Sequence, residues 1–331
     1  MADAGPNPAR EAADTSEKTF RAYTAEQGAA YARNRRGYHP ALYKLILQHH
    51  LNSNGLLHSL VDLGCGPGTA TRELSPYFEN ALGLDPSAGM IATARDIGGI
   101  TSIDTPVRFE VGSAEDLGSD LTPPVADGSV DLIAAATAAH WFDMDRFWAR
   151  AVRALRPGGT VAFWTGSSIV IHRDMPNALA IQKAIADLKE EHLRPYMEKG
   201  NLVGQGLYVD LPLPWTVAEP VDGFDRESFY RQQWNLSDAT DAAGGFFQGK
   251  DAMTLDMLEM AAGTMSPVTR WREAHPEAVG EKDVVRIMRR TIERLLHEAG
   301  VDPGKEFIMG GISGVLLMIK KKMETRAAGS I

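Results

Sequence analysis

The chain has 331 residues, 44% hydrophobic and 23% charged, which is the balance of a folded globular protein rather than a disordered or collagen-like one. A formal net charge of −9 argues against a general nucleic-acid binder, and no run of about 18 apolar residues marks a membrane span. The single cysteine, Cys65, excludes an internal disulfide framework and fits a reducing compartment, so a cytoplasmic location is expected.

Residues 1–18 are polar, lack an apolar signal core and read as a flexible tail. Helical periodicity starts near Thr24 over AEQGAAYARNR. Pro40 suits the first turn of a second helix, ALYKLILQHHL, so residues 19–52 are expected to be cap helices. From residue 53, strand-like runs alternate with helices. LLHSLVDL is strand one, ATRELSPYF a helix and ENALGLD strand two. SAGMIATARDI is a helix that Ser87 is placed to cap. VRFEVG and SVDLIAAAT are strands three and four. Residues 145–155 are amphipathic and stop at Pro157-Gly158-Gly159, and TVAFWTG is strand five. This alternation implies an α/β fold with a doubly wound parallel sheet, which binds ligands at the carboxyl ends of its strands near the switch in strand order.

After Gly166 the pattern loosens. Residues 178–193 read as helix, and TVAEPV is a possible sixth strand that closes a core at residues 53–221. Residues 222–300 read as a helical insertion and substrate lid. Its amphipathic helix KDVVRIMRRTIERLLHEAG carries an apolar stripe of Val284, Met288, Thr291, Ile292, Leu295 and Ala299. The arginines Arg286, Arg289, Arg290 and Arg294 read as a solvated face rather than a binding surface. GVLLMIKKK supplies the final strand within residues 301–322, and residues 323–331 are a tail. The sequon at Asn235 is taken as chance, there being no secretory signal.

VDLGCGPGT, from Val61 to Thr69, places Gly64, Gly66 and Gly68 directly after strand one. Glycine costs about 0.5–1 kcal/mol relative to alanine inside regular structure, so the cluster implies a turn that brings main chain against a ligand. The dinucleotide fingerprint G-x-G-x-x-G would need a third glycine where Thr69 stands; the spacing here is G-x-G-x-G, stiffened by Pro67. Strand two ends in Asp85, a carboxylate suited to a ribose with both hydroxyls free. VDLGCGPGT, GLDPSAGMI and GSAEDL resemble the first three motifs of class I S-adenosylmethionine-dependent methyltransferases. SPYFENALGLDPSAGM, AAHWFDMDRFW, VTRWREAHP and YARNRRGYHPALY resemble a fungal group that includes trans-aconitate methyltransferase.

The resemblance implies a Rossmann-like class I methyltransferase sheet with a helical insertion between its last two strands, and S-adenosyl-L-methionine as cofactor. It implies that Gly64, Gly66 and Gly68 admit the methionine part and the adenosine, that Asp62 lies near the ammonium group, and that Asp85, next to Pro86, holds the ribose. Met90 would pack on the adenine, Ala114 and Glu115 would border it, and Tyr23, Tyr31 and Arg36 would close over the cofactor. Ala136 and His140 would line the methyl-transfer site, with His140 as candidate general base. Trp141, Phe142 and Trp271 are candidate substrate walls; Trp148, Trp215 and Trp234 are read first as core. Cys65, inside the turn, reads as structural. No metal site is expected, because the adjacent His49 and His50 point to different helix faces.

The expected function is methylation of a small molecule, leaning to S-methylation of a thiol or dithiol secondary metabolite, a detoxification of the gliotoxin type. The alternatives are carboxyl O-methylation of a small polycarboxylate such as trans-aconitate, served by Arg36, Arg173, Arg231 or Arg270, and a cofactor-binding non-transferase such as a regulator or pericyclase-like protein. Neither a nucleic-acid nor a membrane partner is expected, and the oligomeric state is left open.

Overall fold

The computed structural model describes residues 18–35, 37–234 and 252–323. The tails, Arg36 and the sequon at Asn235 lie outside them, save for the tail-end residues Lys18 and Met323. The first helix, α1 (Ala25–Asn34), starts at Thr24, whose side chain and that of Gln27 form a reciprocal capping box. Pro40 opens α2 (Pro40–Asn52) at a position where a missing N–H costs nothing. Then follow β1 (Ser59–Leu63), α3 (Thr69–Leu74), β2 (Asn80–Asp85), α4 (Ala88–Ile97), β3 (Arg108–Val111) and β4 (Val130–Ala136). The chain continues through α5 (Met144–Ala154), β5 (Leu155–Ile171), α6 (Ala178–Leu188), α7 (Lys199–Gln205) and β6 (Phe224–Trp234). It ends with β7 (Ala252–Thr254), α8 (Leu255–Gly263), α9 (Ser266–Ala274), α10 (Val284–Glu298) and β8 (Phe307–Lys321).

The sheet order is β3-β2-β1-β4-β5-β8-β6, with β7 pairing onto β8. Strands β1 to β5 pair in parallel, while β8 is antiparallel to both β5 and β6. The order switches between β1 and β4, which opens a crevice at their carboxyl ends. Helices cover both faces, so β1 and β4 are buried along almost their whole length and read as apolar runs rather than alternating ones. On one face α5 contributes Phe147, Trp148, Ala151 and Ala154. On the other, Leu42, Tyr43, Ile46 and Leu47 of α2 pack with Leu60, Leu132 and Trp164. Thus α2, grouped with α1 as cap in the sequence reading, is a layer of the core. Its His50 is fully buried, with one ring nitrogen 2.7 Å from Thr160 Oγ1 and the other 2.7 Å from the Leu56 carbonyl.

The sixth strand is β6 and not TVAEPV. Residues 216–221 form no strand: Thr216 ends a turn, and its Oγ1 accepts the Leu213 N–H at 2.8 Å. Hydroxyl capping of a turn here outweighs the β preference of Thr216 and Val217. Residues 224–234, read as the start of the insertion, instead form the sheet edge, with a register shift between Asp225 and Tyr230. The helical material between β5 and β8 therefore comes in two parts, on either side of β6. The α10 arginines are paired with acids: Arg286 with Glu259 and Glu281, Arg289 with Asp256, Glu259 and Glu293, Arg290 with Glu281, and Arg294 with Glu298. Among the described residues no helix is long and apolar enough to cross a membrane.

Candidate cofactor and substrate site

The chain leaves β1 into the glycine turn with φ of 61° at Gly64, 55° at Gly66 and 82° at Gly68, a region that favours glycine. Two of these positions are also closed by packing. A Cβ at Gly64 would lie 2.5 Å from Ala138 Cβ, and one at Gly68 2.7 Å from the Phe109 ring. Gly66 differs, because a Cβ there would meet nothing within 4 Å. It lines a cavity of about 500 Å³ at the switch point, so its missing side chain is open ligand space. Asp85, at the end of β2, locks this turn: its Oδ2 accepts the Gly66 N–H at 2.9 Å and its Oδ1 the Ser87 N–H at 2.8 Å. Ser87 in turn caps α4 by accepting the Met90 N–H.

The cavity gathers most of the expected cofactor residues. Gly64, Gly66, Asp85, Pro86, Met90 and Ala114 line it, as do Glu115, Ala136 and Tyr31. Trp141 and Phe142, expected against substrate, also line this cavity. Gly68 does not line it and serves the turn. Asp62 lies beneath the turn, fully buried and outside the lining, where it accepts the Thr71 hydroxyl at 2.6 Å. Burial pushes its pKa up to about 7. Tyr23 packs its ring edge-on against Phe20 and Tyr31 and does not line this cavity. Burial raises the Cys65 thiol well above its usual range, which fits a structural cysteine.

Two residues that the sequence reading passed over stand at the heart of the site, Arg35 and Tyr38. Tyr31 and Arg35 are four residues apart and share a face of the cap, with the Arg35 guanidinium 5.9 Å from the Tyr31 ring centre. That spacing is the signal that could have found Arg35 in the sequence. Tyr38 Oη lies 2.9 Å from Thr137 Oγ1. Thr137 follows β4 with φ of 55°, an outlier for a β-branched residue that costs on the order of 1–3 kcal/mol. It is held there by its N–H bonded to the Trp164 carbonyl at 2.7 Å.

Arg35, Tyr38 and Thr137 also line a second cavity of about 200 Å³. Its walls are Trp164, Trp234, Met253, Leu258, Met265 and Met288, with Lys189 among them. Hence Trp234, read as core, faces this chamber, whereas Trp148 is fully buried and Trp215 packs on Phe229. Trp271 lines neither cavity; it is buried in a cluster with Leu193, Val268 and Val284, and its ring stacks on His275. The candidate substrate wall is therefore a core residue at this position.

His140 lines neither cavity. Its Nδ1 lies 3.1 Å from Tyr208 Oη, and its ring packs against Trp141 and beneath Gly204. Burial, with the Arg35 charge adding to it, pushes its pKa down from 6.5 to about 3. Between those values the unfolded chain binds a proton that the folded chain refuses, so the stability contributed by neutral His140 is lost as pH falls through that window. His140→Gln is expected to be less stable than the parent near neutral pH, with the gap narrowing toward about pH 4 in urea titrations. A gap that is independent of pH would show that the ring is not held neutral by the fold.

Residues 61–163 match the family model described as a methyltransferase domain. This stretch, from β1 to β5, is similar to a methyltransferase domain. The Saccharomyces cerevisiae "Probable S-adenosylmethionine-dependent methyltransferase CRG1" is 36% identical over 138 residues, 42% of this chain and 45% of that protein. Trans-aconitate 2-methyltransferase of Deinococcus radiodurans is 40% identical over 106 residues, 31% of this chain and 36% of that protein. These matches span less than half the length of either relative. A structure described as a type II methyltransferase from Anaeromyxobacter dehalogenans shares the fold over 87% of this chain and 97% of its own, at 21% identity and a TM-score of 0.54. Within the matched stretch, Gly66 leaves open space in the larger cavity and Asp85 lines the same cavity, where S-adenosylmethionine would fit.

Proposed function

We propose that the protein transfers a methyl group from S-adenosylmethionine to a small apolar molecule, with a thiol as the favoured acceptor. The observation that carries this reading is the junction at Arg35, Tyr38 and Thr137, where a cavity built on the glycine turn meets a mostly apolar chamber. The cofactor supplies an electrophilic methyl group. The chain's part is to align the acceptor beside the junction, and alignment can contribute about 7–11 kcal/mol. Met265, Met288 and Leu258, from the helices around β7 and β8, wall the chamber from water and suit an acceptor that reacts as an anion.

A thiol needs little help to ionise, since its reference pKa is about 8.5. His39 is the histidine at the chamber, and its Nδ1 already accepts the Ala41 N–H at 3.1 Å. Of the arginines expected to serve a small polycarboxylate, the three within the described residues lie away from the junction, where Arg35 stands instead. Arg173 is exposed, Arg231 donates to the Leu207 carbonyl, Arg270 donates to the Tyr196 carbonyl, and none of the three lines either cavity.

Incubation with S-adenosylmethionine tritiated in its methyl group and a metabolite extract tests the reading. Label in an alkali-stable product supports a thioether, and label released by alkali as methanol indicates a carboxyl ester instead. Absence of any labelled product would favour a cofactor-binding protein that transfers nothing. His140 is assigned no proton transfer in this scheme. His140→Gln is therefore expected to keep turnover within several-fold, against the roughly 10²–10⁴-fold loss for removal of a general base. A loss in that larger range at neutral pH would restore His140 as the base.

A further inference from the structure

The two cavities differ in charge. The larger one carries Asp85, Glu115, Asp116 and Asp143 against Arg21, Arg35 and Arg146. The smaller is lined by no carboxylate among the described residues, although the whole chain has a net charge of −9. Its cationic side chains are Arg35, at the junction, and Lys189.

Lys189 begins a π turn, residues Lys189–Leu193, that continues α6. Its Nζ lies 3.2 Å from Ser168 Oγ and has no acidic partner among the described residues. Ser168 sits where β5 bulges between Gly166 and Ile169, and Ser313 of β8 holds the bulge by bonding the Ser168 N–H and carbonyl. Bulges of this kind re-aim side chains beside functional sites. The lysine is desolvated, and burial lowers its pKa. Lys189 and Ser168 also border an outer cleft with Glu190 and Arg194, so the lysine stands in the wall between the chamber and this cleft.

The position of the amine along β5 decides its use. Trp164 bonds Thr137 at the junction, and Ser168 is four residues further along the strand. At about 3.3 Å per residue, Ser168 lies up to roughly 13 Å beyond Trp164 along the strand. The amine that bonds Ser168 is thus displaced along β5 from the junction, which suits holding the other end of a molecule.

We propose that Lys189 binds an anionic group of the substrate, so that the chamber selects an elongated apolar acid whose methyl-accepting atom is separate from its carboxylate. This rests on the transferase reading above and names the substrate class for that site. Lys189 acts as a specificity determinant: it contributes a charge-assisted hydrogen bond at the far end of the chamber while the apolar walls hold the chain between.

Decanoate and decanol are suitable probes, since they differ in the anionic group and share the apolar tail. Each is titrated calorimetrically into the full chain, with and without saturating S-adenosylhomocysteine, for the parent, Lys189→Met and Lys189→Arg, with melting temperatures compared to verify folding. The expected result is decanoate binding at least tenfold tighter than decanol in the parent, equal binding in Lys189→Met, and recovery of the preference in Lys189→Arg. A preference that survives in Lys189→Met, equal binding of both probes to the parent, or no decanoate binding would overturn the proposal. Failure of S-adenosylhomocysteine to bind, with the decanoate preference intact in its absence, would overturn the transferase reading alone.

Discussion

Asp85→Asn is expected to weaken S-adenosylmethionine binding by about 1–3 kcal/mol, roughly 5- to 150-fold, which is the range for losing hydrogen bonds to a charged group. The side chain has two tasks. Its oxygens fix the Gly66 and Ser87 N–H groups, and it faces the cavity where a ribose would lie. Asparagine can satisfy one of the two backbone donors and presents its own N–H₂ to the other, so the turn should loosen and the melting temperature fall slightly. Asp85→Ala removes both acceptors and should cost more stability. Calorimetric titration of both variants, beside thermal melts, separates loss of the ligand contact from loss of the turn. Parental affinity in Asp85→Asn would take this carboxylate out of the ribose site.

The glycines of the turn should fail in two different ways. Gly66→Val places its side chain in the cavity at φ of 55°, where nothing else stands. Backbone strain should cost about 1–2 kcal/mol, leaving a folded protein with no measurable cofactor binding. Gly64→Ala brings a methyl group 2.5 Å from Ala138 Cβ at φ of 61°. Overpacking typically costs about 1–3 kcal/mol beyond such strain, so this variant should lose stability first. Urea midpoints and cofactor titrations of the pair provide the check. Cofactor binding by Gly66→Val at the parental affinity would mean that the space above Gly66 is not where the ligand sits.

The parallel half of the fold was legible because its signals are local and mutually consistent. Thr24, Pro40 and Ser87 are helix starts with a mechanism, and β1, β2 and β4 are short buried runs set between turn residues. The edge was not legible. Asp225, Arg226 and Glu227 are polar because β6 has a neighbour on one side and its register shifts midway, which hides the period of two. The cofactor residues near the glycine turn could be read because they follow strand ends. Thr137 could not, since its role depends on a left-handed backbone that neither its type nor its neighbours announce. Trp271 and His140 show the opposite limit: their residue types suggest chemistry, and only packing against His275 and Tyr208 reveals where they are used.

The place of β8 in the sheet has a consequence for biosynthesis. It lies between β5 and β6, yet it follows every helix of the described chain. On a ribosome adding roughly 5–20 residues per second, the stretch between Ile171 and Phe307 takes on the order of ten seconds to emerge. Throughout that delay β5 has an open edge bearing Val161, Phe163 and Ile169, and the nascent chain can offer no native partner for it. Any premature stop before residue 307 would make this exposure permanent, so such fragments should be captured by chaperones or aggregate even though the glycine turn and Asp85 have already been made.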